Sequence, residues 1–170
     1  MKILVFSDVH GKKDRLLTVL KKHNDAEYKI SLGDSELRRG FLQKHDIIAI
    51  KGNYPLDAGL AYEHIMDIGG LKWLLVHGHK NRVKQGYETL YHKILETESD
   101  LALHGHTHQL HIEEISNKYF INPGAINNAR GNYDESYLII HHNPPILELE
   151  WHSVYTHDII RHETIQIKPR

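Results

Sequence analysis

Apolar residues in this chain come in short continuous runs that stop at Gly, Asp, Asn or His, the pattern of strands buried on both faces. Lys2 to Phe6, Tyr28 to Leu32, Asp46 to Lys51, Leu71 to Val76 and Leu101 to His104 read in this way. Gly69-Gly70 joins Tyr62–Ile68 to Leu71–Val76 as a hairpin, and Asn117-Lys118 joins His111–Ile115 to Tyr119–Ile121. A last hairpin turns at Asn143-Pro144-Pro145 between Tyr137–His142 and Ile146–Val154, and the alternation around Thr164-Ile165-Gln166-Ile167, within Thr156 to Arg170, adds an edge strand. Helical spacing occupies Asp14 to His23, with Leu16, Leu17, Val19 and Leu20, and Lys84 to Thr97, with Tyr87, Leu90, Tyr91, Ile94 and Leu95. A further helix is expected to begin at Ser35, and Asn122-Pro123-Gly124-Ala125 reads as a loop.

The 170 residues suit one domain with a full core, and no repeat, linker or low-complexity segment divides them. A net charge of -1 gives no global field to recruit nucleic acid or an anionic membrane. The chain has no Cys, which removes disulfides and thiolate metal ligands and is compatible with a reducing compartment. With no apolar run of membrane-spanning length and no signal-like start, the expected location is the cytoplasm.

The chemistry lies where the runs stop. Leu101-Ala102-Leu103-His104 ends at Gly105-His106-Thr107-His108, Lys2–Phe6 at Asp8-Val9-His10-Gly11, Tyr28–Leu32 at Gly33-Asp34, Asp46–Lys51 at Gly52-Asn53, and Leu71–Val76 at His77-Gly78-His79. Residues two apart at a strand end share a side, so Asp8 with His10, and His106 with His108, can face one cation or two neighbouring ones. Taken singly, each site has a plainer use: Asp8 or Asp34 as a helix cap, Gly52-Asn53 as a turn. Together they supply Asp8, His10, Asp34, Asn53, His77, His106 and His108, too many donors for one tetrahedral ion but enough for two ions sharing a carboxylate. Oxygen and nitrogen donors without sulfur favour Mn, with Ni, Fe, Zn or Co as alternatives, over Cu(I) or a cluster. Nine other His, at 23, 45, 64, 92, 141, 142, 152, 157 and 162, share no spacing with these and read as surface or packing residues.

The succession Asp-x-His, Gly-Asp, Gly-Asn, His-Gly-His, Gly-His-x-His resembles the calcineurin-like metallophosphoesterase superfamily over residues 1 to about 130. Its length, Gly33-Asp34-Ser35-Glu36 and Asn122-Pro123-Gly124 look like the small prokaryotic YfcE-type phosphodiesterases. The resemblance implies an α/β fold, a four-layer αββα sandwich of two mixed β-sheets flanked by helices. It also implies that Asp8, His10, Asp34 and His108 hold one ion, that Asp34, Asn53, His77 and His106 hold the other, and that Asp34 bridges. Two cations roughly 3.5–4 Å apart would then present a bridging hydroxide for one-step hydrolysis of a small phosphodiester or phosphoester, with no covalent enzyme intermediate.

One departure affects this expectation. Where many relatives carry His and an acid after Gly-Asn, this chain has Tyr54-Pro55. Loss of a proton donor there handicaps poor leaving groups, so diesters are expected to be favoured over simple monoesters. Asp34, Asn53, His79 and Tyr54 are the catalytic candidates. His79 and Tyr54 are considered as proton donors, and each also reads as packing. The same fold resembles a retromer subunit, so a protein-binding scaffold is the alternative; it predicts missing ligands, and none is missing. Homo-oligomerisation is left open by the sequence.

Overall fold

The structure, a computed structural model, describes residues 1–57 and 59–167. In chain order the strands are β1 Lys2–Phe6, β2 Tyr28–Ser31, β3 Ile47–Ala49, β4 Glu63–Ile68, β5 Leu71–Val76, β6 Leu101–Leu103, β7 Leu110–Ile115, β8 Lys118–Pro123, β9 Ser136–Asn143, β10 Ile146–Ser153 and β11 Ile159–Gln166. The helices are α1 Lys13–Lys22, α2 Arg39–Lys44 and α3 Glu88–Glu96.

These strands form two mixed sheets, ordered β11-β10-β9-β1-β2-β3 and β4-β5-β6-β8-β7. Each has a parallel centre, β1-β2-β3 in one and β5-β6-β8 in the other, extended by antiparallel strands. Parallel strands need cover on both faces, which is why they read as unbroken apolar runs. Along β1, Ile3 and Val5 enter the core between the sheets, with Trp73 and Trp151, while Leu4 and Phe6 face the opposite way, among Leu16, Val19 and Leu20 of α1. Leu90 and Ile94 of α3 cover Leu74, Ala102 and Phe120 on the outer face of the second sheet. The order is therefore helix, sheet, sheet, helix, the four-layer arrangement that the family resemblance implies. None of the described helices is long and apolar enough to cross a membrane.

Four local expectations change. The helix foreseen from Ser35 begins only at Arg39, because Asp34 and Glu36 both adopt positive φ (50° and 54°), which no right-handed helix admits. The second helix of the sequence reading shortens from Lys84–Thr97 to Glu88–Glu96. Asn122 and Pro123 are not loop but the end of β8, and the β7–β8 turn falls on Ser116-Asn117, both at positive φ, rather than on Asn117-Lys118. The expected C-terminal edge strand forms as β11, paired antiparallel with β10; residues 168–170 of that stretch lie outside the described ones.

Candidate metal centre

Because the central strands of each sheet are parallel, their C-terminal ends deliver successive loops to one edge. Backbone hydrogen bonds tie those loops together: Asp8 N donates to Gly33 O (3.2 Å), His10 N to Asp34 O (3.0 Å) and Gly105 N to His77 O (3.0 Å). Close approach depends on two glycines without side chains. A Cβ at Gly52 would collide with Asp34 Oδ1, and one at Gly105 with Ser7 Oγ. Five of the seven ligand candidates, Asp8, His10, Asp34, His106 and His108, have φ between 45° and 68°. Such conformations cost about 1–3 kcal/mol each and collect where the surrounding structure enforces them.

The imidazoles are oriented alike. His77 Nδ1 donates to Leu32 O, His108 Nδ1 to Asn128 O and His10 Nδ1 to Glu36 Oε1, each at 2.7 Å. Committing Nδ1 outward leaves Nε2 of all three facing inward. Nε2 of His10 and His108 lie 3.3 Å apart. Around Asp8 Oδ1 stand His108 Nε2 at 3.2 Å, His10 Nε2 at 3.7 Å and His77 Nε2 at 3.8 Å. That oxygen is buried and accepts no hydrogen bond of good geometry. His77 Nε2 also lies 3.3 Å from Asp34 Oδ2 and 3.1 Å from Asn53 Oδ1. A buried carboxylate oxygen ringed by three imidazole Nε2 atoms is a donor set that a divalent cation satisfies.

Two donor groups result, Asp8-His10-His108 and Asp8-Asp34-His77. The residue common to them is Asp8, whereas the family resemblance gives the shared role to Asp34. His106 is joined to the cluster by its backbone N–H, which donates to Asp8 Oδ2 (3.1 Å), and by its ring, whose centroid is 5.1 Å from that of His77. His79 lies beside His77 and His106 with its ring tilted to both, its Nδ1 buried and without a hydrogen bond. Tyr54 reaches the site through its backbone, its N–H donating to Asp34 Oδ1 at 2.9 Å.

Electrostatics follow from burial and pairing. Burial opposes charge on Asp8, but His10, His108 and His77 outweigh it and hold the carboxyl far below the usual range. Contact with Asp8 raises His10 to about 9 against the effect of burial, with Glu36 assisting. Burial opposes a proton on His77 as well, yet Asp34 and Asp8 push its pKa up. His106, further from the carboxylates, is lowered by burial to about 4.

Residues 1–143 match the calcineurin-like phosphoesterase superfamily domain. The chain belongs to that superfamily. Its relatives include the probable metallophosphoesterase YsnB of Bacillus subtilis, 33% identical over 141 residues that make up 82% of this chain and 83% of that protein. Among solved structures, a predicted phosphoesterase from Streptococcus pneumoniae superposes with a TM-score of 0.89 at 24% identity, over 98% of this chain and 97% of that one. Vps29 from Entamoeba histolytica complexed with zinc gives 0.76 at 23% over 98% and 99%, and the phosphoesterase YfcE of E. coli 0.71 at 20% over 96% and 98%. At such identities the structures show a shared fold; superfamily membership places the chain among metal-dependent phosphoesterases.

Three residues around this site were not among the site candidates read from the sequence. Glu36 orients His10. Asn122 sends its amide to Gly105 O (3.1 Å) and Thr107 Oγ1 (3.0 Å), fixing the loop that bears His106 and His108, and is itself held by Trp151 Nε1 donating to its backbone O (2.8 Å). Asp57 is buried with Oδ2 unpartnered, and burial together with Asp34 and Glu36 pushes its pKa up. Glu36 and Asn122 lie in the Gly33-Asp34-Ser35-Glu36 and Asn122-Pro123-Gly124 runs that carry the family resemblance, whereas Asp57 had no such signal.

Proposed function

We propose that this chain hydrolyses phosphodiesters with two divalent transition-metal ions, one on Asp8, His10, Asp34 and His108, the other on Asp34, Asn53, His77 and His106. The observation that carries this reading is the buried, unsatisfied Asp8 Oδ1 facing three Nε2 atoms whose rings are each fixed by an outward Nδ1 bond. Manganese suits the mixed carboxylate, amide and imidazole set best, and nickel, iron, zinc or cobalt fit the same donors. When bound, such a pair supplies Lewis-acid polarisation of the phosphoryl oxygens and water ionised near neutral pH. The protein's share is orientation: Glu36, Leu32 O and Asn128 O set the tautomers of His10, His77 and His108, and the Tyr54 amide holds Asp34 Oδ1 in place. No serine or threonine is needed as nucleophile. Of the proton-donor candidates, His79 has its ring beside His77 and His106, but burial lowers its pKa and weakens its hold on a proton, and Tyr54 contributes its backbone, so neither is assigned to the leaving group.

Preference for diesters rests on Tyr54-Pro55, which offers no imidazole to a poor leaving group. Manganese-loaded protein is expected to turn over bis-p-nitrophenyl phosphate faster than p-nitrophenyl phosphate; an equal or greater monoester rate overturns the preference. Metal content after purification without added ions, with Asp34→Asn as control, tests the site itself. Metal-free protein that stays inactive when manganese is supplied would favour the scaffold reading, which draws on the fold shared with Vps29.

A further inference from the structure

Two clefts open beside His106 and Thr107. One, of about 320 Å³, runs from His79 and His106 to Arg82 and Lys84; the other, of about 350 Å³, runs from Thr107 past Lys84 to Arg130. Each is large enough for a small ligand group, and Lys84 belongs to both. No carboxylate lines either cleft. Among the described residues, none of Arg82, Lys84 and Arg130 is in an ion pair, so three cations without internal counter-charge border a trough made of two clefts that share Lys84.

The trough is prebuilt. Val83, buried between the exposed Arg82 and Lys84, packs over Gly78, where any Cβ would meet Val83 Cγ2 at 2.7 Å. Val83 N and Asn81 N both donate to Gly78 O (3.3 and 3.1 Å), and Gln85 N donates to Arg82 O (2.8 Å). The segment carrying two of the cations is thereby anchored to the turn between His77 and His79. Arg130 is tied to the same centre, its N–H donating to His108 O at 2.8 Å. Cations on an anchored backbone next to the proposed metal centre, two of them forked guanidinium groups, match a compact anion with several acceptor oxygens better than a sugar or an apolar arm.

We propose that the substrate is a phosphodiester whose one arm carries a second phosphate, and that Arg82, Lys84 and Arg130 hold that phosphate. The inference rests on the proposed phosphodiesterase reading and adds a substrate class to it. Its test compares a dinucleotide bearing a 5′-terminal phosphate with the same dinucleotide lacking it, on manganese-loaded protein. The phosphorylated form is expected to have the higher kcat/KM by about tenfold or more, through KM. In Lys84→Ala and Arg130→Ala that ratio falls toward one, and added salt, which raises KM for the phosphorylated form in the unaltered protein, does so less in the variants. Calorimetric binding of the phosphorylated dinucleotide to Asp34→Asn protein, with and without Lys84→Ala, reads the same contact without turnover. Equal kcat/KM for the two dinucleotides, or variants that slow both in parallel, overturns the subsite while leaving the diesterase reading intact. Failure to cleave either dinucleotide or bis-p-nitrophenyl phosphate overturns the function proposed above.

Discussion

Two histidine clusters are buried in this fold, and they are built in opposite ways. At the strand ends, His10, His77 and His108 each tie Nδ1 to an oxygen and leave Nε2 aimed at Asp8, whose Oδ1 has no hydrogen bond. Near α1 and β9–β10, the Tyr137 hydroxyl hydrogen-bonds both His23 Nε2 (2.9 Å) and His157 Nδ1 (3.0 Å). There His152 Nδ1 donates to His157 O (2.9 Å), and its Nε2 lies 3.2 Å from Glu150 Oε2. The second cluster is paired internally except at His23 Nδ1, which is buried without a partner and faces no orphaned carboxylate oxygen. Histidine content and burial do not separate the two; the direction of the unsatisfied lone pairs does.

The sharpest way to break that contrast is to neutralise one acid in each cluster. Asp8→Asn is expected to lower manganese-supported turnover by more than about 100-fold and to remove most bound metal. Glu150→Gln, measured alongside, should leave both close to the unaltered protein. Activity in Asp8→Asn with full metal content would make the strand-end cluster as structural as the other. Next in size is Glu36→Gln. The amide can no longer accept as a carboxylate from His10 Nδ1, and outer partners of this kind are worth about 10–100-fold in metal affinity. Competition with a chelator reads that loss directly, while the unfolding midpoint should move little because the Glu36 side chain is partly exposed, at 30%.

How far these clusters could be read from sequence follows from how local their signals are. Asp8 with His10, and His106 with His108, lie two apart beyond an apolar run, so short-range geometry alone suggested them. Glu36 was read as part of a helix, and only the positive φ of Asp34 and Glu36, fixed by loops from elsewhere in the chain, turns it toward His10. The second cluster pairs residues 114 apart, and no spacing records that, so His23, His152 and His157 passed as packing or surface positions. The fold was legible for a similar reason: hairpins and parallel strands have local patterns, whereas the exact end of β8 depends on Trp151 reaching Asn122.

Tyr137→Phe tests the structural cluster by itself. It deletes one hydroxyl and leaves His23 and His157 each a partner short, at a cost of about 1–3 kcal/mol in a denaturant titration, with turnover unchanged. Unchanged stability would show that the network is incidental.

The clusters should also separate by pH. His23, of the structural cluster, is lowered by burial and the nearby Lys2 to about 4, against 6.5 for an unfolded histidine. Between those values the unfolded chain binds protons that the folded one refuses, so stability is complete above 6.5 and falls as pH drops toward 4. His10 behaves in the reverse sense. Raised to about 9 by Asp8, it stabilises the metal-free fold fully below 6.5, and that contribution is lost as pH rises through 9. Manganese must displace that proton, so the metal-loaded protein should lose the alkaline limb and keep the acid one. Unfolding midpoints from pH 4 to 9.5, with and without manganese, measure both; an alkaline limb that persists with bound metal contradicts the assignment.

The smallest effect comes from an imidazole that belongs to neither cluster. His142, 2% exposed at the end of β9, lies against Trp73 and the Gly69-Gly70 turn, where neither ring nitrogen has a hydrogen bond. A neutral imidazole always carries one N–H donor, and burying that donor unpaired costs about 1–3 kcal/mol, part of which returns if an apolar side chain of similar volume takes its place. Burial and the neighbouring N-terminal charge also lower its pKa, so the unfolded chain gains the proton first on acidification. His142→Leu should therefore raise the unfolding midpoint by the equivalent of about 1 kcal/mol at neutral pH, and by more below pH 6. The same substitution at His152, whose two nitrogens are both engaged, should lower it. If both variants shift stability in the same direction, hydrogen-bond satisfaction does not distinguish the buried histidines, and the contrast between the clusters rests on metal binding alone.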